Sequence, residues 1–119
     1  MTVVFLTTDL TFTSRVAGVA ARLGMALKTA GTPAALMDLL AAEPESLVLI
    51  DLSISNLDPR TLVAQLKAIA MPPRAIIAYG PHVHEERLAE AAAAGCDEVL
   101  TRGQFSARME ETLAKWRGQ

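Results

Sequence analysis

Apolar residues along this chain alternate between short unbroken runs and helically spaced sets. Val3-Val4-Phe5-Leu6 is such a run, and Phe12, Val16, Val19, Ala20 and Leu23 follow at helical spacing until Gly24. Met25 to Ala30 reads as a weaker strand. After Gly31, Thr32 predicts a cap and Pro33 the first turn of a helix carrying Leu36, Leu39 and Leu40. Leu47-Val48-Leu49-Ile50 predicts a central strand buried on both faces, and Asp58-Pro59 repeats the cap-and-proline signal ahead of Leu62, Leu66 and Ile69. Met71-Pro72-Pro73 closes that unit. Ala75 to Tyr79 is strand-like, and a helix carrying Leu88, Ala91 and Ala92 runs from about His84 to Gly95. Val99 and Leu100 mark a fifth strand, and Phe105, Met109, Leu113 and Trp116 form the apolar stripe of one terminal helix. Strands alternating with helices require parallel pairing and right-handed crossovers. The expected fold is therefore α/β, a three-layer sandwich with a five-stranded parallel sheet and five helices.

Two of these strands deliver an acid. The central run ends directly in Asp51, and the first run ends in Thr7-Thr8-Asp9. Open parallel sheets bind their ligands in the crevice outside the carboxyl ends of the strands, where the strand order reverses. The flavodoxin-like order 2-1-3-4-5 places that reversal between the first and third strands, so the position of the acids favours it. Paired acids at such an edge predict a small divalent-cation site.

Composition narrows the picture. The 119 residues contain no linker or repeat and are expected to form a single domain, 1–119. With 51% hydrophobic residues but only three Phe, one Tyr and one Trp, the core must be built largely from aliphatic residues and alanine. The net charge is −2 and the basic residues are scattered, which argues against a nucleic-acid surface. Cys96 is the sole cysteine, so an internal disulfide is excluded. A lone thiol, an N-terminus unlike a leader and no apolar stretch near ~20 residues predict a cytoplasmic, non-membrane protein. The final Trp116-Arg117-Gly118-Gln119 fits either a true end or the edge of a linker.

Through essentially its whole length the chain resembles the response-regulator receiver family, the CheY-like fold. The resemblance implies that Asp51 is the phosphoacceptor, Asp9 the second of the paired acids after the first strand, and Ser53 the residue whose backbone carbonyl joins a Mg²⁺ shell. Ala94-Gly95 fits the family's usual ending of the fourth helix. The departures are equally specific. Thr8 replaces the first acid, removing a charge whose attraction to a unit cation ~4 Å away is about 4 kcal/mol at an effective dielectric of about 20. The hydroxyl position after the fourth strand falls on Gly80, or on Ala78 if a loop insertion is allowed, and Val99 stands at the aromatic switch position. Arg102-Gly103 replaces Lys-Pro, making Arg102 the candidate partner of a phosphate or carboxylate.

These departures imply a degenerate or pseudo-receiver. It would be a signal-transduction domain acting through protein–protein interaction, with atypical phosphorylation of Asp51 and weak Mg²⁺ binding at Asp9, Asp51 and Ser53. Enzymatic activity would be limited to self-phosphorylation and autodephosphorylation of Asp51. In this reading Arg102 pairs permanently with Asp51. Implied partners are a histidine kinase or a downstream regulator, and a homodimer through helix four, strand five and helix five. One alternative is a conventional Mg²⁺-dependent phosphoacceptor of a two-component phosphorelay. Another is a flavodoxin-like ligand or nucleotide domain with Thr7, Thr8 and Thr11 as phosphate donors, although the loop lacks a glycine-rich cradle and a P-loop lysine. His82 and His84 read as loop residues, Tyr79 as a strand-end side chain with its hydroxyl at the surface, and Arg108, Lys115 and Arg117 as a solvated helix side.

Overall fold

The computed structural model describes residues 1–117; Gly118 and Gln119, the end of the expected domain, lie outside the described residues. In chain order the elements are β1 (Thr2–Leu6), α1 (Leu10–Arg22), β2 (Ala26–Ala30), α2 (Pro33–Leu40), β3 (Ser46–Asp51) and α3 (Pro59–Ala68), followed by β4 (Ala75–Gly80), α4 (Glu85–Ala94), β5 (Glu98–Thr101), α5 (Arg102–Ala107) and α6 (Met109–Arg117). The strands pair in parallel in the order β2-β1-β3-β4-β5, as the placement of the acids predicts.

The helix starts follow the local chemistry. Asp9, Thr32 and Asp58 accept from the backbone N–H groups of Phe12, Ala35 and Arg60, and Pro33 and Pro59 occupy the first turns of α2 and α3. Gly95 ends α4 at φ 103°, a left-handed conformation that favours glycine.

The pleat of the sheet divides the core in two. Val3, Phe5, Leu47, Leu49, Ile77 and Tyr79 pack with residues of α1, α5 and α6, whereas Val4, Leu6, Val48, Ile50, Ile76 and Ala78 pack with residues of α2, α3 and α4. Central strands buried on both faces account for the unbroken apolar runs.

The flanks hold six helical segments among the described residues, where the apolar period predicts five helices. The last helix begins early, at Arg102, because Thr101 and Gln104 form a reciprocal capping box. It then breaks at Arg108, with φ −124° and ψ 26°. Phe105, Met109 and Leu113 keep their four-residue spacing across the break, so periodicity alone does not reveal it. No helix among the described residues is long and apolar enough to cross a membrane.

Candidate functional site at the strand ends

The pairing of Leu6 with Ile50 in neighbouring strands brings the segment after β1 opposite Asp51. Asp51 is 2% exposed, and its two carboxylate oxygens are satisfied from different directions. The Thr7 hydroxyl donates to Oδ2 at 2.7 Å. Ser53 donates to Oδ1 through its backbone N–H at 3.0 Å and its hydroxyl at 2.6 Å, closing a tight turn over the strand end. A buried carboxylate persists only with such partners, because desolvation would otherwise disfavour its charge.

Asp9 meets the same cluster through its main chain, its N–H donating to the Thr7 hydroxyl oxygen at 3.0 Å. Thr7 thus joins the two acids, accepting from one and donating to the other. Its proton is committed to Asp51, which removes one donor from a phosphate-cradle reading of the loop. The Asp9 side chain is also occupied: Oδ1 caps α1 at Phe12 N, and Oδ2 accepts from Arg102 Nη2 at 2.7 Å.

Arg102 therefore sits on Asp9, which corrects the expected pairing with Asp51. The guanidinium is fixed from two sides, since it also lies over the Phe12 ring with its central carbon 4.6 Å from the centroid. The Phe12 N–H and the Arg102 guanidinium hold the Asp9 carboxyl below its ordinary pKa, and Asp9 in turn raises that of Arg102. Asp9 therefore contributes stability that is present above its unfolded value near 3.8 and is lost as the pH falls through its lower folded value. Arg102→Gln should move the Asp9 titration up toward that ordinary value while Phe12 keeps it depressed. Acid unfolding should then depend less steeply on pH. A carboxyl-carbon NMR titration of both proteins checks the shift, and an unmoved Asp9 curve would contradict the pairing.

Gly80 occupies the strand end beside the site, whereas Ala78 pairs with Ile50 deeper in β4; neither carries a hydroxyl. A Cβ on residue 80 would come 3.1 Å from Leu52 Cβ and 3.7 Å from Leu88, so the position is crowded as well as lacking a hydroxyl. Val99 is half-buried against the α2–α4 side of the core.

Tyr79 departs from expectation. It is 0% exposed, with no hydrogen-bond partner for its hydroxyl among the described residues. The fourth strand is a central one, so both of its faces are covered and the last full side chain has nowhere to surface. Burial, reinforced by the nearby charge of Asp51, pushes the Tyr79 phenol far above its ordinary pKa.

His82 and His84 are exposed in the segment before α4, and His84 precedes that helix without a side-chain cap bond. Cys96 is half-buried and its thiol is pushed up to about 11 by burial, which makes it a poor nucleophile at neutral pH. Lys115 pairs with Glu98 at 3.4 Å and Arg117 donates to Leu23 O, so the basic side of α6 is partly tied down.

A Mg²⁺ ion shared by Asp9 and Asp51 would require the Arg102 guanidinium to leave Asp9. Among the described residues no three carboxylate, histidine or cysteine side chains converge, and both Asp9 oxygens already have partners, Oδ1 the Phe12 N–H and Oδ2 Arg102. Sequence reasoning named Asp9, Asp51, Ser53 and Arg102 but missed Arg87, whose guanidinium reaches the loop after Asp51. That contact spans 35 and 33 residues, and no local spacing signals it.

No protein-family model matches the sequence, and no curated protein matches it. Solved structures do. A response regulator from Thermotoga maritima superposes with a TM-score of 0.80 at 15% identity over 97% of this chain and 95% of that one. The receiver domain of a sensor histidine kinase from Pseudomonas aeruginosa, described with a magnesium ion coordinated in its active-site cleft, gives 0.78 at 15% identity over 99% and 98%. The chemotaxis response regulator CheY4 of Vibrio cholerae gives 0.78 at 14% identity over 97% of each chain. At this level of identity the likeness defines the fold, and the chain has the CheY-like receiver fold.

Proposed function

We propose that this chain is a receiver-type domain of two-component signalling, of the degenerate kind, that works by presenting a surface to another protein. Phosphorylation of Asp51 is slow and atypical in this reading, and the domain has no other enzymatic activity. The observation that carries the proposal is the internal satisfaction of the acidic cluster: Thr7 and Ser53 hold Asp51, and Arg102 holds Asp9. For phosphoryl transfer, an Asp51 oxygen would attack the phosphorus of a donor, and the bonding pair of the broken donor bond would leave with the departing group. Catalysis of that kind is mostly positioning and electrostatics. Here Arg102 would first have to leave Asp9, and Thr7 would have to release one carboxylate oxygen, which would slow the transfer.

A second reading, the conventional Mg²⁺-dependent phosphoacceptor, is favoured by the convergence of Asp9 and Asp51 on Thr7. The magnesium in the Pseudomonas receiver domain is its precedent. In that case Asp9, Asp51 and the Ser53 carbonyl would hold the ion once Arg102 moved aside. The partner is a histidine kinase or a downstream regulator in the cytoplasm. The face of α4, β5 and the terminal α5–α6 segment is the candidate contact, for that partner or for a second copy.

An amide NMR titration with Mg²⁺ and then beryllofluoride separates these readings. The degenerate reading expects no response to Mg²⁺ alone at low millimolar concentration, and a response to beryllofluoride near Asp51 only when Mg²⁺ is in large excess. Saturable shifts at Asp9 and Asp51 with Mg²⁺ alone would favour the conventional phosphoacceptor and overturn the degenerate one.

A further inference from the structure

We propose that Arg87 is a positioning residue that couples the state of Asp51 to α4, in place of the hydroxyl-and-aromatic relay for which this chain has Gly80 and Val99. The inference rests on the reading of Asp51 as the responsive residue. Arg87 lies in the first turn of α4, and its Nη1 donates to Leu52 O and to Ile54 O, each at 2.6 Å. These carbonyls flank Ser53, whose N–H and hydroxyl hold Asp51 Oδ1. One guanidinium nitrogen thus grips the chain on both sides of the residue that grips the acid. Hydrogen bonds from a cationic donor are the stronger class, and a planar guanidinium transmits displacement with little slack.

The packing of α4 makes it dependent on this tether. Ala91 is its one buried residue, whereas α1 and α3 bury four each. Its first turn has no side-chain cap bond from His84. Elements that bury little apolar surface open at the lowest cost, so a pull on the first turn should be felt along the helix. The loop and the helix start also form the walls of one cleft of about 570 Å³, with Ser53 and Ser55 on one side and residues 83–87 on the other. A shift of Ser53 relative to Arg87 reshapes that cleft, and with it the surface presented at the start of α4, where Val83 is 70% exposed.

The test needs no ligand. Asp51→Asn converts the charge-assisted bonds from Ser53 into ordinary ones, and its effect is read by backbone amide shifts with and without Arg87→Met. With Arg87 present, the shifts should run from Ser53 into residues 85–94; with Arg87→Met, they should stop at the loop while Ser53 still responds. Amides of α4 in Arg87→Met should also exchange with solvent about ten-fold faster, the scale set by losing hydrogen bonds from a charged donor. Arg87→Lys keeps the cation without the planar fork and should restore part of the transmission; Arg87→Ala, which removes the donor altogether, replaces the Met variant if that one does not fold. Equal shifts in α4 with and without Arg87, or none in either background, overturn the proposal. If the coupling is found and beryllofluoride elicits no response in the unmodified protein, the coupling stands and the phosphoacceptor reading is the one that fails.

Discussion

Asp51→Asn should fold and take up no phosphoryl group from a small donor such as acetyl phosphate, the signal falling to background. The neutral amide lacks the anionic oxygen that attacks phosphorus, and no second acid stands in its place, because Asp9 is engaged by Phe12 and Arg102. Folding should survive for a geometric reason. The Asn carbonyl can keep both bonds from Ser53, and its amide can donate to the Thr7 oxygen, whose own proton then turns elsewhere. The change in stability should lie within about 2 kcal/mol, the range for altering hydrogen bonds without orphaning a buried group. Intact-mass measurement after exposure to the donor, with urea unfolding alongside, reads both effects. Uptake retained by the variant would remove Asp51 from the acceptor role.

Phe105→Ala should be the most destabilising single change near the site, costing about 3–5 kcal/mol in urea unfolding, the range for truncating a buried Phe. Phe105 is 0% exposed and stacks on Tyr79 with ring centroids 5.0 Å apart. Tyr79 in turn lies 5.1 Å from Phe12 and 6.1 Å from Phe5, and Phe12 lies 5.8 Å from Phe105. All three phenylalanines and the single tyrosine of the chain therefore gather in one cluster beneath Asp9 and Arg102. Offset and tilted aromatic contacts add to their burial energy. Against a total stability of about 5–15 kcal/mol for a domain, such a loss leaves a marginal protein. Phe12 also supports the Arg102 guanidinium, so the ion pair with Asp9 should loosen in the same variant. A loss below about 1 kcal/mol, far under the truncation range, would mean that the cluster repacks around the gap.

The sequence alone carried the fold because its signals are local and agree with one another. Unbroken runs such as Leu47 to Ile50 identify strands covered on both faces, and the pairs Thr32-Pro33 and Asp58-Pro59 announce helix starts that form their capping bonds within three residues. The requirement for right-handed crossovers leaves few strand orders, and the acids at the ends of the first and third strands select one of them. The same reasoning brings Asp9 and Asp51 to one edge of the sheet. It does not assign their partners. Whether Arg102 lies on Asp9 or on Asp51 depends on where α5 begins, on the Phe12 ring beneath the guanidinium, and on Thr7 reaching Asp51 first. Tyr79 is internal because β4 is a central strand, and Arg87 reaches the loop after Asp51 because α4 packs beside it. Hydrogen bonds between residues 33 to 93 positions apart, and ring contacts such as that of Phe12 with Phe105, leave no trace in local spacing. Only the closing of the sheet and its two helical layers brings those groups together, and that step decides the chemistry of the site.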